Sequence, residues 1–455
     1  MVVDPLASPF ALHETYGWRG DDRGLLGATP FVRETRDEYT SRGGYRNLSR
    51  SGTAADRLER LAGAPGMGNL LGRGGAAFPT LVKIRAVARG AATASAPPTV
   101  VANGAEGEPL SVKDRYLLRY RPHLVLDGLL TVAAALGATE AYVYVADTAA
   151  RSAVRAALTE LGDSIATVVH VFAAQDTYVA GEETAVVRAL TTGIARPTDK
   201  PPRPFQVGVR GAPTLVLNVE TLACVALAGL PDARPAGGTF LATVSGAGRP
   251  PRLYELPTGL PLGELLREHL GREDSGFNVL IGGFFGGLIP AWPDLELSHH
   301  GVRRRGGGLG CGSLHLLEAP ACPVKVAADV VAYYARHNAG QCGMCMASSA
   351  GIAATLAELG RPRPGVPYAE LLPRWAAQLR GRGACAVPDA IAGLLRTLLH
   401  HHPQQVTRHL AAGCPQCGQV EGDPRWGHLL VTLPPSADEP TIARAREPVP
   451  SAMGS

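Results

Sequence analysis

The chain lacks any apolar run of about 18 residues, the length a membrane-crossing helix needs, and its first thirty residues carry acids and polar groups instead of a basic start followed by an apolar core. The expectation is a soluble, cytoplasmic protein without a direct membrane span. An excess of one charge is missing too. Basic residues number 44 and acidic ones 40, a formal net charge of +4, which excludes the electrostatic footprint of a nucleic-acid or polyanion binder. Lysine is nearly absent: Lys83, Lys113, Lys200 and Lys325 stand against forty arginines. Three of the four fall in the segments singled out below, where a compact ammonium on a flexible stem is not equivalent to a planar guanidinium.

What is present begins with the run Gly72-Arg73-Gly74-Gly75-Ala76-Ala77-Phe78-Pro79. Three glycines in four positions, beside Arg73 and Lys83, suit a turn whose backbone N–H groups close around anionic oxygens. Alone, the run has an equal claim to be a tight surface turn. Two acidic motifs shift the balance. Asn103-Gly104-Ala105-Glu106-Gly107-Glu108-Pro109 follows an apolar run ending at Ala102, where a buried parallel strand would end and where ligands of open α/β sheets bind. Tyr178-Val179-Ala180-Gly181-Glu182-Glu183-Thr184 follows the β-branched run Ile165 to Phe172 and leads into a helical pattern. Carboxylates beside a phosphate loop make sense for a ligand with an anionic end and a separate neutral or cationic ring. The competing reading is that each Glu starts a helix and favours its dipole.

Strand-like runs at Thr99 to Ala102, Ala141 to Ala146, Ile165 to Phe172 and Thr214 to Leu217 alternate with helical patterns at Leu124 to Leu136 and Ala149 to Leu161. This predicts a doubly wound α/β sheet. A Pro/Gly-rich seam at Pro231 to Gly238 precedes short strands at Phe240 to Val244, Arg252 to Leu256 and Asn278 to Ile281. From Val324 the pattern turns helical, at Val324 to Arg336, Ser348 to Leu359, Tyr368 to Leu379 and Pro388 to His400, which predicts a four-helix bundle.

Taken in order, Gly72 to Thr80, Glu106-Gly107-Glu108-Pro109, Lys113-Asp114-Arg115, Gly181 to Ala185 and Asn218 to Ala223 resemble the NADH-binding flavoprotein subunit of respiratory complex I and the diaphorase subunits of NAD-linked hydrogenases and formate dehydrogenases. The resemblance runs from about Leu71 to Cys385 and implies an α/β, Rossmann-like FMN domain, a β-grasp domain of the soluble-ligand-binding type and a C-terminal helical bundle with a [4Fe–4S] cluster. The limits expected are an N-terminal arm over 1–65, an FMN- and NADH-binding domain over 66–235, a β-grasp domain over 238–322, a bundle with the cysteines over 324–425, and a disordered tail over 426–455. The resemblance implies FMN contacts from Gly72, Arg73, Gly74, Gly75, Lys83, Asn103, Glu106, Asn218 and Thr221. It puts Phe78, Tyr178, Gly181, Glu182, Lys200 and Phe205 on the NAD(H) side, with Phe78 and Phe205 sandwiching the adenine. Glu108 and Glu183 would position the stacked rings for hydride transfer. Two positions depart from the family pattern: Ala105 and Leu217 stand where it has polar residues.

Eight cysteines, at 224, 311, 322, 342, 345, 385, 414 and 417, point to metal binding more than to disulfides in such a chain. The resemblance implies Cys342, Cys345 and Cys385 as cluster ligands, but its third motif cysteine is here Ser348, a harder and poorer iron ligand. Ser348 ligates the fourth iron, or the site holds three irons, or the cluster is absent or labile. Cys414-Pro415-Gln416-Cys417 lends a ligand, binds zinc with Cys311 or Cys322, or does nothing. Cys224, Cys311 and Cys322 read as small buried hydrophobes, and the His299-His300 and His400-His401-His402 runs as exposed polar faces. The function implied is an NADH dehydrogenase of diaphorase type that passes electrons from NADH through FMN and an iron–sulfur centre to a ferredoxin-like or membrane-associated redox partner, at a cytoplasmic site peripheral to a membrane complex. The alternative is a non-catalytic or cluster-free flavin- and NADH-binding assembly protein of the same fold.

Overall fold

The computed structural model describes residues 11–12, 24–27, 29, 31–48, 51–231, 235–271, 276–317, 321–414 and 417. The expected tail over 426–455 and much of the first two dozen residues lie outside this range.

Four apolar segments form a parallel sheet: β1 (Thr99–Gly104), β2 (Glu140–Val145), β3 (Val168–Ala173) and β4 (Thr214–Asn218). Their spatial order is β3-β2-β1-β4, all neighbours parallel. The β-branched run that starts at Ile165 joins the sheet only from Val168, where its N–H pairs with the Thr139 carbonyl. Helices α1 (Thr80–Ala94), α2 (Lys113–Tyr120), α3 (Pro122–Leu136), α4 (Thr148–Leu161), α5 (Glu183–Thr192) and α6 (Val219–Leu227) pack around this sheet. Helices α3 and α6 are apolar on nearly all sides and are buried against each other. Their approach depends on Gly128, where a Cβ would sit 2.0 Å from the Leu222 carbonyl oxygen. Residues 31–48 lie on α3, with the Tyr39 hydroxyl and the Tyr45 N–H both donating to the buried Asp127 carboxylate at 2.7 and 2.9 Å.

The second sheet is mixed. The hairpin β5 (Thr239–Gly246) and β6 (Arg249–Pro257) pairs through β5 with the parallel strand β9 (Ser313–Leu317), which in turn pairs with β7 (Asn278–Ile281) and then β8 (Leu288–Pro290). A two-residue strand, Ala11–Leu12, adds to the β6 edge. Helix α7 (Leu262–Leu270) lays Leu262, Leu265, Leu266 and Leu270 into a core of its own with Val279, Ile281 and Leu314, the arrangement of a β-grasp unit.

The C-terminal part holds α8 (Pro323–His337), α9 (Ser349–Glu358), α10 (Tyr368–Gln378), α11 (Val387–His401) and α12 (Pro403–Ala412). Four of these match the helical pattern in the sequence. The fifth, α12, starts at Pro403, whose fixed φ and missing N–H suit the first position of a new helix. The turn between them buries His402 to 3 % exposure, which corrects the expectation of an exposed histidine face; His400 is exposed.

Candidate functional site

The strand order reverses between β1 and β4, and at that switch point Asn103 and Asn218 stand in register at the carboxyl ends of the two strands. The Asn218 side-chain oxygen caps α6 through the Glu220 N–H at 3.0 Å, and its amide donates to Asp114 at 2.6 Å. Lys113 holds the group together, with Nζ 2.6 Å from Asp114, 3.0 Å from Glu220 and 3.2 Å from the Asn218 oxygen. Burial works against the Lys113 charge, but Asp114, Glu220 and Glu106 outweigh it and hold the ammonium protonated.

The glycine loop lies on this switch point. A Cβ at Gly74 would meet the Asn218 Cβ at 3.3 Å, while at Gly75, with φ +110°, it would meet nothing nearer than the Gly310 carbonyl carbon at 4.0 Å. The Arg73 N–H donates to the Thr221 hydroxyl at 2.9 Å and fixes the loop over the start of α6. The Arg73 guanidinium, expected at the phosphate, turns away from the loop. It is buried, donating to the Thr239 carbonyl at 2.8 Å and facing Glu220 at 3.9 Å, because that buried carboxylate needs a second cation besides Lys113. An open glycine cradle beside two side-chain amides, at the carboxyl ends of parallel strands, fits the phosphate and chain of FMN.

The two acidic loops interlock above the cradle. A Cβ at Gly107 would fall 2.5 Å from the Tyr178 carbonyl oxygen, and one at Gly181 would fall 2.8 Å from that of Ala105. Asn103 donates to the Gly181 carbonyl at 2.8 Å and ties the loops. Each carboxylate has a different task. Glu106 accepts from Ser111 Oγ at 2.5 Å and from the N–H groups of Asp114 and Arg115 at 3.1 Å, so it caps α2. Glu182 caps α5 through the N–H groups of Thr184 and Ala185 at 2.8 and 3.1 Å, and meets Lys200 at 2.6 Å.

Glu183 stands free of the helix backbone, between Lys83 at 2.9 Å and Lys200 at 3.5 Å. Burial alone would raise its pKa, but the two lysines outweigh burial and hold it below the usual carboxylate range. Glu108 is the opposite case. It accepts from the Phe284 N–H at 3.1 Å and from the Tyr178 hydroxyl at 3.3 Å, and burial pushes its carboxyl up to about 7. Tyr178 in turn meets the Tyr334 hydroxyl of α8 at 3.0 Å, so Glu108 lies where all three parts of the chain join. Phe78 is 53 % exposed at the mouth of the loop, more than a core residue would be, whereas Phe205 is half-buried against the main core beside Gly90.

In the bundle, the Cys342 and Cys345 sulfurs face each other at 3.8 Å, Cys345 on a wide helical turn, Met344–Ser348, that opens α9, and Cys342 just before it. Burial disfavours the Cys342 thiolate, but the N–H groups of Cys345 and Ala384 outweigh it and hold its thiol below the usual range. Burial, with the charge of the two nearby sulfurs adding to it, pushes the Cys385 thiol up to about 11. Ser348 and Cys345 line one cavity with Val387 and Pro388, the residues just beyond Cys385. Cys342 and Cys345 thus pair, Cys385 is near enough to feel their charge, and Ser348 shares the Cys345 cavity with its hydroxyl turned toward the Met344 sulfur at 3.7 Å. The donor set fits three irons by thiolate and one corner only by a harder oxygen.

Sequence reading gave several participants no role, although Lys113 and Asp114 stood in one of its motifs. Lys113 and Asp114 orient Asn218 from inside, Tyr334 carries the link from Tyr178 into the bundle, and Gln341 reaches the Pro197 carbonyl at 2.5 Å, tying the cysteine loop to the segment before Lys200. A single lysine in a motif beside an aspartate was a signal for the first pair; nothing local marked Tyr334 or Gln341. Cys322, read as a buried hydrophobe or as a zinc partner of Cys414 and Cys417, is half-buried and lies 3.3 Å from the His409 ring and 3.6 Å from the Cys417 sulfur. Cys224 is 3 % exposed inside α6, as a small core residue.

Comparison with known proteins agrees with this geometry. Residues 67–227 match the Nuo51 FMN-binding domain and residues 325–409 match the NADH-ubiquinone oxidoreductase-F iron-sulfur binding region. The F 2 subunit of NADH-quinone oxidoreductase in Rhizobium meliloti is 32 % identical over 403 residues, which is 82 % of this chain and 93 % of that protein. The F subunit of the same enzyme in Aquifex aeolicus is 30 % identical over 330 residues, 68 % of this chain and 76 % of that protein. Among solved structures, NAD+-reducing [NiFe]-hydrogenase in the H2-reduced state superposes with a TM-score of 0.68 at 24 % identity, covering 86 % of this chain and 73 % of that one, a likeness of fold.

Proposed function

Because this chain belongs to the family of NADH-quinone oxidoreductase F subunits, we propose that it oxidises NADH as a diaphorase-type dehydrogenase and delivers the electrons through its iron–sulfur region to a partner redox protein. The observation that carries the reading is the glycine cradle over Asn103 and Asn218 at the sheet's switch point, with Glu183 and Glu108 on the loops above it.

FMN, when bound, converts the hydride of NADH into single electrons that an iron–sulfur centre can carry. On the flavin side the holding residues are Gly72, Gly74 and Gly75, with Asn103, Asn218 and Thr221. Arg73 acts there through its backbone, by locking the loop on Thr221, and Glu106 by fixing the loop that ends at Glu108. On the dinucleotide side stand Phe78, Tyr178, Gly181, Glu182, Lys200 and Phe205, with Lys83 setting the position of Glu183. Glu183, kept ionised by its lysines, favours a cationic nicotinamide ring. Glu108 changes protonation near neutral pH and so adjusts the charge at the joint of the three parts. Cys342, Cys345 and Cys385, with Ser348, would hold the iron–sulfur cluster, which would supply one-electron transfer onward.

The electron acceptor is a ferredoxin-like or membrane-associated redox protein, and the chain works in the cytoplasm, peripheral to a membrane complex. In support, the relatives it resembles are F subunits of NADH-quinone oxidoreductase. The test is anaerobic addition of NADH to the purified, FMN-loaded chain, following the flavin band and reduction of an artificial dye. Bleaching with dye turnover is expected. A flavin-loaded chain that NADH binds but does not bleach would replace this reading with the non-catalytic one.

A further inference from the structure

A second group of thiols lies outside the machinery described above. Cys322 is the residue before α8, His409 is in the last turn of α12, and Cys414 and Cys417 follow that helix. One ligand atom from each converges, all within 4.8 Å of one another. The His409 Nε2 is 3.3 Å from the Cys322 sulfur and 3.3 Å from the Cys417 sulfur, and those two sulfurs are 3.6 Å apart. We propose that Cys322, His409, Cys414 and Cys417 form a Cys3His site for a single tetrahedral zinc ion, separate from the iron–sulfur site.

The donor set selects a single ion: three thiolates and one imidazole converging within 4.8 Å are a tetrahedral zinc set. Zinc–thiolate bonds of about 2.3 Å at the tetrahedral angle put two sulfurs about 3.8 Å apart, close to the observed pair. The histidine is prepared as a neutral ligand. Its Nδ1 lies 2.6 Å from the Gln405 carbonyl, which can only accept, so the proton is on Nδ1 and the Nε2 lone pair faces the sulfurs. The backbone is prepared as well. Cys414 N–H donates to the Gly360 carbonyl at 3.1 Å and Cys417 N–H to the Cys414 carbonyl at 3.1 Å, so the Cys-x-x-Cys turn is seated on the end of α9. Gly360 permits this, since a Cβ there would fall 3.0 Å from the Cys417 Cβ.

Four protein ligands leave no open position, which makes the site structural. Cys322 and Cys342 lie beyond opposite ends of α8, a helix of 15 residues, so about 20 Å of helix separates the two thiol groups. The matched iron-sulfur region, residues 325–409, takes in only His409 of the four ligands. The ion would clamp the segment after α12 to the N-terminus of α8 and the end of α9, closing the bundle on the side away from Cys342.

The experiment is metal analysis of the purified full chain expressed with zinc and iron both supplied, followed by zinc-edge X-ray absorption. About one zinc per chain in a shell of three sulfurs and one nitrogen is expected. It should be lost in Cys417→Ser and His409→Gln and kept in Cys385→Ser. Cys414→His, which preserves four ligands, should retain zinc with a two-sulfur, two-nitrogen shell, so a folded, metal-bearing variant remains even if the others do not fold. Cobalt(II) supplied to the metal-free chain should give the intense visible bands of tetrahedral thiolate coordination. Wild-type chain without zinc, zinc that survives Cys417→Ser, iron in place of zinc at these four residues, or a Cys322–Cys417 disulfide would each overturn the proposal.

Discussion

Glu108 and Glu183 are both glutamates on neighbouring loops, and their surroundings separate them. Glu183 is ionised between two lysines, while Glu108 sits under the Gly283–Phe284 turn with its carboxyl raised from 4.5 to about 7. A carboxyl whose folded pKa is raised favours the folded chain at low pH and loses that advantage as pH climbs toward the folded value. Ionising Glu108 therefore costs folded stability over the window from about pH 4.5 to about 7, up to about 3 kcal/mol in all. Glu108→Gln keeps an acceptor for the Phe284 N–H and removes the titration. Melting curves should show the variant gaining on the wild type from pH 5 to pH 8, with no relative gain at lower pH; parallel curves would mean the carboxyl titrates normally. At Ser348 the expected outcome concerns potential. Ser348→Cys replaces a hard oxygen with a thiolate, which stabilises ferric iron less, so a redox titration of the cluster should move upward. An unchanged potential and spectrum would show that Ser348 is not a ligand.

At the scale of elements, helix termini organise the site. The acidic motifs were read two ways in the sequence, as ligand-facing carboxylates or as helix starters, and the structure divides them: Glu106 and Glu182 cap α2 and α5, while Glu108 and Glu183 do not cap. Glu182→Ala should therefore cost about 1 to 2 kcal/mol of stability by loss of the α5 cap, measured by denaturant unfolding. Glu183→Gln should cost less and act mainly on NADH oxidation. The strands of the first sheet and the four expected bundle helices were legible because their periodicity is local. α12 was not, since ten residues with Val406 and His409 as their buried positions carry too little apolar pattern to stand out.

For the whole molecule, the joint between the parts rests on close packing at Gly283. A Cβ there would fall 2.3 Å from the Glu108 carboxyl carbon, and the residue has φ +68°. Gly283→Ala should destabilise the chain by at least about 2 kcal/mol, combining left-handed backbone strain with a steric clash, and should loosen flavin retention because Glu108 must move. Gly351 supplies the comparison, being exposed within α9 with nothing within 4 Å of where a Cβ would stand. Gly351→Ala should stabilise by up to about 1 kcal/mol. If equilibrium unfolding gave both substitutions the same effect, the packed joint would not control stability.

The primary structure already carried the loop glycines, the order of the five motifs and the fold class, because each is written in a few adjacent residues or in a short hydrophobic period. Folding alone decided which polar groups meet. Arg73 finds Glu220 and the second sheet, Glu108 lies against Gly283, Tyr178 bonds Tyr334, and Cys322 joins His409 and Cys417. These partners are scores of residues apart in the chain, and no local pattern specifies such a pairing; it follows from how the two sheets and the bundle close on one another and bury groups that must then be satisfied.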